Sequence, residues 1–322
     1  MKVGVVGCGG MGHVHARSYA NMKEAELVGV CDLDAELAEE LARETGTRAF
    51  ASFEAMLEAA DPEAVSIALP SYLHKEAVLK AAAAGKHVIC EKPVALTLEE
   101  TDEMIAACEA QGVRLFIGHV VRFFPEYEQL KRDVDAGRIG EPGVAHAKRA
   151  GSHPGRWFKD EALSGGVIVD MMIHDIDFMR WAFGEVKSVF AMNKANAEMD
   201  YALVTLQFRS GAAANLEAFW GDPGSFRYSA ELAGSKGLIR LDSAASASLH
   251  VRASAARRQD SPFAEIPKSP GAQSPFEREL AHFLACIRDG AEPRVTARDA
   301  REALRIALAA LASVRTGQAI EL

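Results

Sequence analysis

The stretch Gly7-Cys8-Gly9-Gly10-Met11-Gly12 constrains this chain more than any other. Residues 3–6 before it form an apolar run, and a helical pattern follows over about 13–21. Strand, G-x-G-x-x-G, then helix is the phosphate-binding turn of a dinucleotide-binding βαβ unit. The first glycine allows the tight turn, the second lets a pyrophosphate approach the backbone, and the third lets helix pack on strand. Free N–H groups at the helix start then face the phosphates. Gly7, Gly9, Gly10, Met11 and Gly12 are therefore the expected cofactor loop. Asp32 closes the second strand, 26–31, and stands 20 residues after Gly12. A carboxylate there accepts hydrogen bonds from the adenosine ribose and repels a 2′-phosphate. No basic residue flanks it in Asp32-Leu33-Asp34, so NAD is expected over NADP.

The chain continues as helix 34–44, a short strand near 48–50, helix 52–60 and strand 64–69 stopped by Pro70. Helix 75–84 ends at Gly85, and strand 87–90, helix 98–110 and strand 114–118 follow. Unbroken apolar strands alternating with helices predict a parallel sheet covered on both faces. A doubly wound Rossmann domain over 1–119 results. Beyond it come a helix at 127–136 and strands near 144–150, 186–194, 201–208, 212–220, 226–233 and 237–242. Consecutive strands without intervening helices predict a large open mixed or antiparallel sheet. Residues 253–275 read as a loose surface excursion, and 276–288 and 297–315 as closing helices. The fold class is α/β, with a second α/β domain over 120–322. Two domains also suit 322 residues.

Composition narrows the partners. A net charge of −9 argues against nucleic acid, whose binding needs a basic face. The five cysteines include no C-x-x-C pair and read as free thiols in a reducing cytoplasm. No signal segment precedes the first strand, and no apolar run reaches membrane-spanning length. A small-molecule substrate is the expected partner.

Three places carry candidate chemistry. Pro70, Ser71 and His74 follow the fourth strand, at the sheet edge where ligands bind, and are expected at the ribose or nicotinamide. His13 and His15 read either as helix-packing residues or as cofactor neighbours. Glu91-Lys92-Pro93 follows the fifth strand. Lys92, directed by the following proline, is a candidate to bind a reacting oxygen and share its proton. Residues 164–181, SGGVIVDMMIHDIDFMRW, read as one helix with Asp170, His174 and Asp177 on one face. Met172, Ile173, Ile176, Met179 and Phe183 fill the opposite face. An Asp one turn before a His holds its ring and supports its protonated form, which suits a general acid/base. A metal site on the same three residues lacks a further convincing ligand, so no metal is expected.

These residues, in this order, resemble the Gfo/Idh/MocA oxidoreductase family nearly end to end. The resemblance is carried by the glycine loop with His15, "PSYLH", "GKHVICEKP", "RFFPEY" with "GRIGEP", "GGVIVDMMIHDID", "GSKG" and the tail from "FEREL" to "SVRTGQAIEL". It implies hydride transfer between NAD(P) and a secondary alcohol of a sugar or polyol. It also implies a homodimer or homotetramer built on the second domain's sheet. Residue by residue, it makes Lys92, Asp170 and His174 catalytic and adds Glu91 to the cofactor set. It places Arg122, Lys148, His153, Arg156 and Trp157 among substrate contacts. Residues 173–177 look closest to the inositol dehydrogenases and some nucleotide-sugar 3-dehydrogenases. Phe226 falls near a position where inositol dehydrogenases carry a substrate-contacting Tyr. A cyclic polyol or sugar is the expected substrate. Alternatives are a UDP-sugar, a redox-neutral NAD-using glycosidase, and a non-catalytic NAD sensor. A local anion site from Arg122, Lys148, Arg149 and Arg156 would favour the UDP-sugar.

Overall fold

The computed structural model describes residues 1–244 and 273–322. Most of the expected loose segment, 253–272, lies outside the described residues. Within the chain, contacts group Met1–Pro125, Ala162–Ser164 and Gln273–Arg305 into one unit. Residues Glu126–Glu161, 165–244 and Ile306–Leu322 belong to a second.

The first unit begins β1 (Lys2–Val6), α1 (Gly10–Asn21), β2 (Glu26–Cys31), α2 (Ala35–Thr45), β3 (Ala49–Phe50), α3 (Phe53–Ala60) and β4 (Ala64–Ile67). It continues with α4 (His74–Ala83), β5 (His87–Glu91), α5 (Leu98–Ala110) and β6 (Leu115–Gly118). Strand order is β3-β2-β1-β4-β5-β6, all parallel. The order reverses between β1 and β4, the switch point where such sheets bind ligands. Local chemistry sets the helix starts: Asp34 caps α2 through the Glu36 and Leu37 N–H groups, and Thr97 caps α5 through Glu100 N–H. Val3, Val5, Val30, Ile89 and Phe116 form its core with Tyr19 of α1.

The second unit begins with α6 (Pro125–Asp135) and β7 (Pro142–Gly151), and the short helix α7 (Glu161–Ser164) returns after its first residue to the first unit. Next come α8 (Gly166–Asp170), α9 (Ile173–Phe183), β8 (Val186–Ala195), β9 (Asp200–Phe208), β10 (Ala213–Trp220), β11 (Arg227–Gly234) and β12 (Gly237–Asp242). Helix α10 (Pro275–Asp289) and α11 (Ala297–Thr316) as far as Arg305 belong to the first unit, and β13 (Ile320–Glu321) closes the second. Leu280, Phe283 and Leu284 of α10 join the first unit's core. The last turns of α11 belong to the second unit.

Strand order in the second sheet is β12-β11-β7-β10-β9-β8-β13. Only β7 and β10 pair in parallel among the described strands, so the sheet is mixed. Ala145, Ala147 and Arg149 of β7 are buried on the face that carries α8 and α9, and alternation sends His146 and Lys148 to the other. That outer face also exposes Phe190, Met192 and Leu203.

Candidate functional site

The glycine turn has the backbone its sequence requires. Gly7 sits at φ +94°, and a Cβ there would lie 2.5 Å from the Ala68 carbonyl oxygen. A Cβ on Gly12 would lie 1.9 Å from the Gly7 carbonyl oxygen, so only glycine lets α1 press onto the loop. Cβ atoms on Gly9 or Gly10 would meet open space. Gly9 is the N-cap of α1 and supplies no side-chain hydrogen bond, which leaves the first N–H groups of a 12-residue helix to a ligand. Asp32 completes the arrangement. Its carboxylate accepts from Cys8 N–H at 2.6 Å and from Asp34 N–H at 2.9 Å, tying the loop to the end of β2. An open helix terminus beside a fixed carboxylate fits NAD. Cys8, next to it, is inert: burial first, then the Asp32 and Cys31 charges, pushes its thiol up to about 12. Pro70 and Ser71 follow β4 at the same sheet edge, and Ser71 opens a 3-10 turn.

Lys92 leaves the end of β5 half-buried, between two buried neighbours. The Glu91 carboxylate meets His15 Nε2 at 2.9 Å and accepts from Lys92 N–H at 3.2 Å. Burial alone would raise the Glu91 pKa; the His15 hydrogen bond and nearby positive charge, Lys92 included, bring it below the ordinary value. The other His15 nitrogen, Nδ1, lies 2.6 Å from Ser66 Oγ. His15 therefore packs α1 on the sheet, whereas His13 is partly exposed, 3.4 Å from Glu44. His74 has no exposed surface. Its Nδ1 is 2.8 Å from the Pro93 carbonyl and its Nε2 2.9 Å from the Leu69 carbonyl. Burial lowers its pKa, against the pull of those carbonyls. Both ring nitrogens face backbone carbonyls in the interior, and a neutral ring can donate to only one of them, so His74 packs between the loops where a ribose contact was expected.

The stretch expected to be one helix is broken. Met171 N–H and Met172 N–H both bond to the Val167 carbonyl, at 3.1 and 2.9 Å, four and five residues back. This wide turn separates α8, ending at Asp170, from α9, whose second residue is His174. Neither Pro nor Gly marks the break, and with it Met171 and Met172 both enter the core. The turn interrupts the expected helix between Asp170 and His174, while His174 and Asp177 remain about one turn apart on α9. Asp170 and His174 are half-buried, one on each side of the turn, whereas Asp177 is buried.

The sequence reading also missed Asp175. It is 1% exposed and accepts two parallel hydrogen bonds from Arg149 of β7, at 3.0 Å from Nε and 2.9 Å from Nη2. Burial would weaken the guanidinium's hold on its proton, and the Asp175 charge more than reverses this. Tyr228 stacks beside Arg149 and donates to Glu126 at 2.8 Å. At the other end, Asp200 of β9 accepts from Val167 N–H at 2.9 Å and from Asn193 at 2.6 Å, capping α8 from across the sheet. An Asp beside the singled-out His and a polar residue opening a strand were the available signals. Neither says what it will meet.

The expected substrate contacts scatter. Arg122 is 2% exposed, donates to the Arg294 carbonyl at 2.9 Å and lies 3.7 Å from Asp299. Lys148 is 2.6 Å from Glu217 on the outer sheet face, away from α9. These pairings, with Arg149–Asp175, undo the expected anion site. His153 and Trp157 do gather at the sheet end where β7 and β10 stop. His153 accepts from Gly155 N–H at 3.0 Å and packs near Trp220, while Trp157 stacks on Phe158 at 3.9 Å. Phe226 is exposed and sits over Arg149.

Residues 1–119 match the profile described as "Oxidoreductase family, NAD-binding Rossmann fold", and residues 127–240 match the Gfo/Idh/MocA C-terminal domain. The scyllo-inositol 2-dehydrogenase (NAD(+)) of Bacillus subtilis is 32% identical over all of this chain and 96% of its own length. The myo-inositol 2-dehydrogenase of Thermotoga maritima is 30% identical, over 100% of this chain and 98% of its own. Among solved structures, the WlbA dehydrogenase of Bordetella pertussis, in complex with NADH and UDP-GlcNAcA, superposes with a TM-score of 0.85. It is 26% identical and covers 100% of this chain and 97% of that one.

Proposed function

The chain belongs to the Gfo/Idh/MocA oxidoreductase family, and from that footing we propose that it is an NAD-dependent dehydrogenase of a neutral cyclic polyol or sugar. The observation that carries the reading is the open glycine turn tied to Asp32, with Lys92 at the end of β5 two strands beyond the switch point. Gly7 to Gly12 and Asp32 would hold the dinucleotide. When bound, the nicotinamide supplies the hydride acceptor. His174 takes the proton of the substrate hydroxyl, supported by Asp170. Lys92 hydrogen-bonds the same oxygen and steadies its negative charge as the carbonyl forms.

The commitment of Arg122, Lys148 and Arg149 to carboxylates supports an uncharged ring over a nucleotide sugar. The inositol dehydrogenases among its relatives point the same way. Five buried free cysteines fit a cytoplasmic protein. Among the described residues no helix is long and apolar enough to cross a membrane. Phe190, Met192 and Leu203 on the outer sheet face fit a homo-oligomer, dimer or tetramer.

The test is the near-UV absorbance of reduced nicotinamide when purified protein meets NAD and a panel of inositols, aldoses and UDP-sugars, with NADP in parallel. A rise with a neutral ring alcohol and NAD is expected. A rise confined to UDP-sugars would overturn the substrate class, and product formation without reduced cofactor would overturn the net redox reaction.

A further inference from the structure

Two histidines, one on α1 and one on α4, are almost wholly buried, and neither has the exposed surface a ligand contact needs. They meet at one place in the chain. His15 bonds to Glu91, the residue before Lys92, and His74 bonds to Pro93, the residue after it.

The hydrogen bonds on the His15 side form a chain that ends on one carboxylate. Tyr19 OH donates to Ser66 Oγ at 3.3 Å, which leaves the Ser66 proton for His15 Nδ1 at 2.6 Å. His15 Nε2–H then donates to Glu91 Oε1, and Lys92 N–H donates to Glu91 Oε2. The Tyr19 phenol is pushed up by burial and stays protonated, so the chain runs in one direction onto one carboxylate. That carboxylate lies against Gly118 of β6, where a Cβ would come within 3.2 Å of Oε1. On the other side, His74 spans from the Leu69 carbonyl, leaving β4, to the Pro93 carbonyl, leaving β5. The two loops that depart from adjacent strands thus meet at one ring, whose single N–H when neutral donates to one of the two carbonyls.

We propose that His15 and His74 are positioning residues that fix Lys92 from both sides, His15 through the Glu91 carboxylate and His74 through the Pro93 carbonyl. A four-carbon side chain on a loop has no fixed direction of its own; clamping the residues on both sides restricts its backbone. The inference rests on the role assigned to Lys92 above, but its test does not require turnover.

The experiment is competitive acetylation of the folded protein with trace acetic anhydride, read by mass spectrometry. Reactivity of the Lys92 amine is compared with that of Lys23 and Lys187, both exposed. His15→Phe and His74→Phe are expected to change Lys92 reactivity several-fold, while Lys23 and Lys187 keep theirs. His15→Gln, which retains an N–H able to reach Glu91, keeps Lys92 near its wild-type rate. His15→Asn, too short to reach it, does not, and this pair decides the matter if the phenylalanine variants fail to fold. Unchanged Lys92 reactivity, or a shift shared by all three lysines, would overturn the proposal. In turnover, the same variants lower kcat and leave KM for NAD within about threefold, and the loss vanishes in a Lys92→Ala background because the effect passes through Lys92. If the wild type reduces no NAD with any ring alcohol, the functional reading fails, and the labelling still decides whether the histidines set Lys92.

Discussion

Lys92 and His174, the two residues proposed to act on the substrate oxygen, are held by different physics. Around Lys92 the anchors are hydrogen bonds from two histidines to a carboxylate and a carbonyl. Next to His174 the anchor is a full ion pair, Arg149 forked onto Asp175. In both places the reactive residue is half-buried while its chain neighbour is buried and bonded to another element. Reactivity and rigidity are thus assigned to adjacent residues. The difference predicts different failures: losing a hydrogen bond to a buried charge costs about 1.5–3 kcal/mol, and stranding one half of a buried ion pair about 3–5 kcal/mol.

The largest effects fall on the reactive pair itself. Lys92→Ala and His174→Ala should each lower kcat by about a hundredfold to ten-thousandfold, the range for a lost acid/base group, with NAD affinity by fluorescence titration retained. Full activity in either variant would remove that residue from the chemistry. Arg149→Met should lower stability in urea unfolding by about 3–5 kcal/mol, and the double change Arg149→Met with Asp175→Leu should recover most of it. A small loss in the single variant would put the His174 anchor on a par with the Lys92 anchor and erase the contrast.

A smaller effect belongs to the cap on α8. Asp200→Ala should cost about 1 kcal/mol in the same unfolding assay, since it removes the acceptor for Val167 N–H. The smallest is a pH effect on the Lys92 side. Glu91 has a folded pKa below its ordinary 4.5, so its contribution is present above that value and is lost as pH falls through the lower folded one. Unfolding free energies of Glu91→Gln should therefore fall less steeply than wild type across that acid window; equal slopes would show that Glu91 carries no favourable charge in the fold.

What could be read from the chain follows the same division. β2 and α5 begin and end where their sequences predict, because strand ends and capping residues are local. The glycine turn and Asp32 were legible for the same reason. The break at Met171–Met172 was not: both residues favour helix, and the wide turn arises where the stretch packs on the sheet. Asp175 and Arg149 lie 26 residues apart and meet only through that packing. The helical periodicity that grouped Asp170 with His174 and Asp177 assumed one unbroken helix, whereas only His174 and Asp177 share α9. His74 looked like a ligand contact because it follows β4 at the binding edge; its burial depends on the Pro93 carbonyl, supplied 19 residues later. Lys148 was set among substrate groups by resemblance, and the two-residue alternation of β7 turns it to the other face.

Hydride tracing tests the proposed reaction at the transferred atom. Purified protein is given NAD and an inositol deuterated at its ring carbons, and the reduced cofactor is examined by mass spectrometry. One deuteron is expected in each reduced nicotinamide formed, with a rate that collapses in His174→Ala and Lys92→Ala. Reduced nicotinamide without deuterium, or deuterium transfer undiminished in both variants, would contradict that reaction.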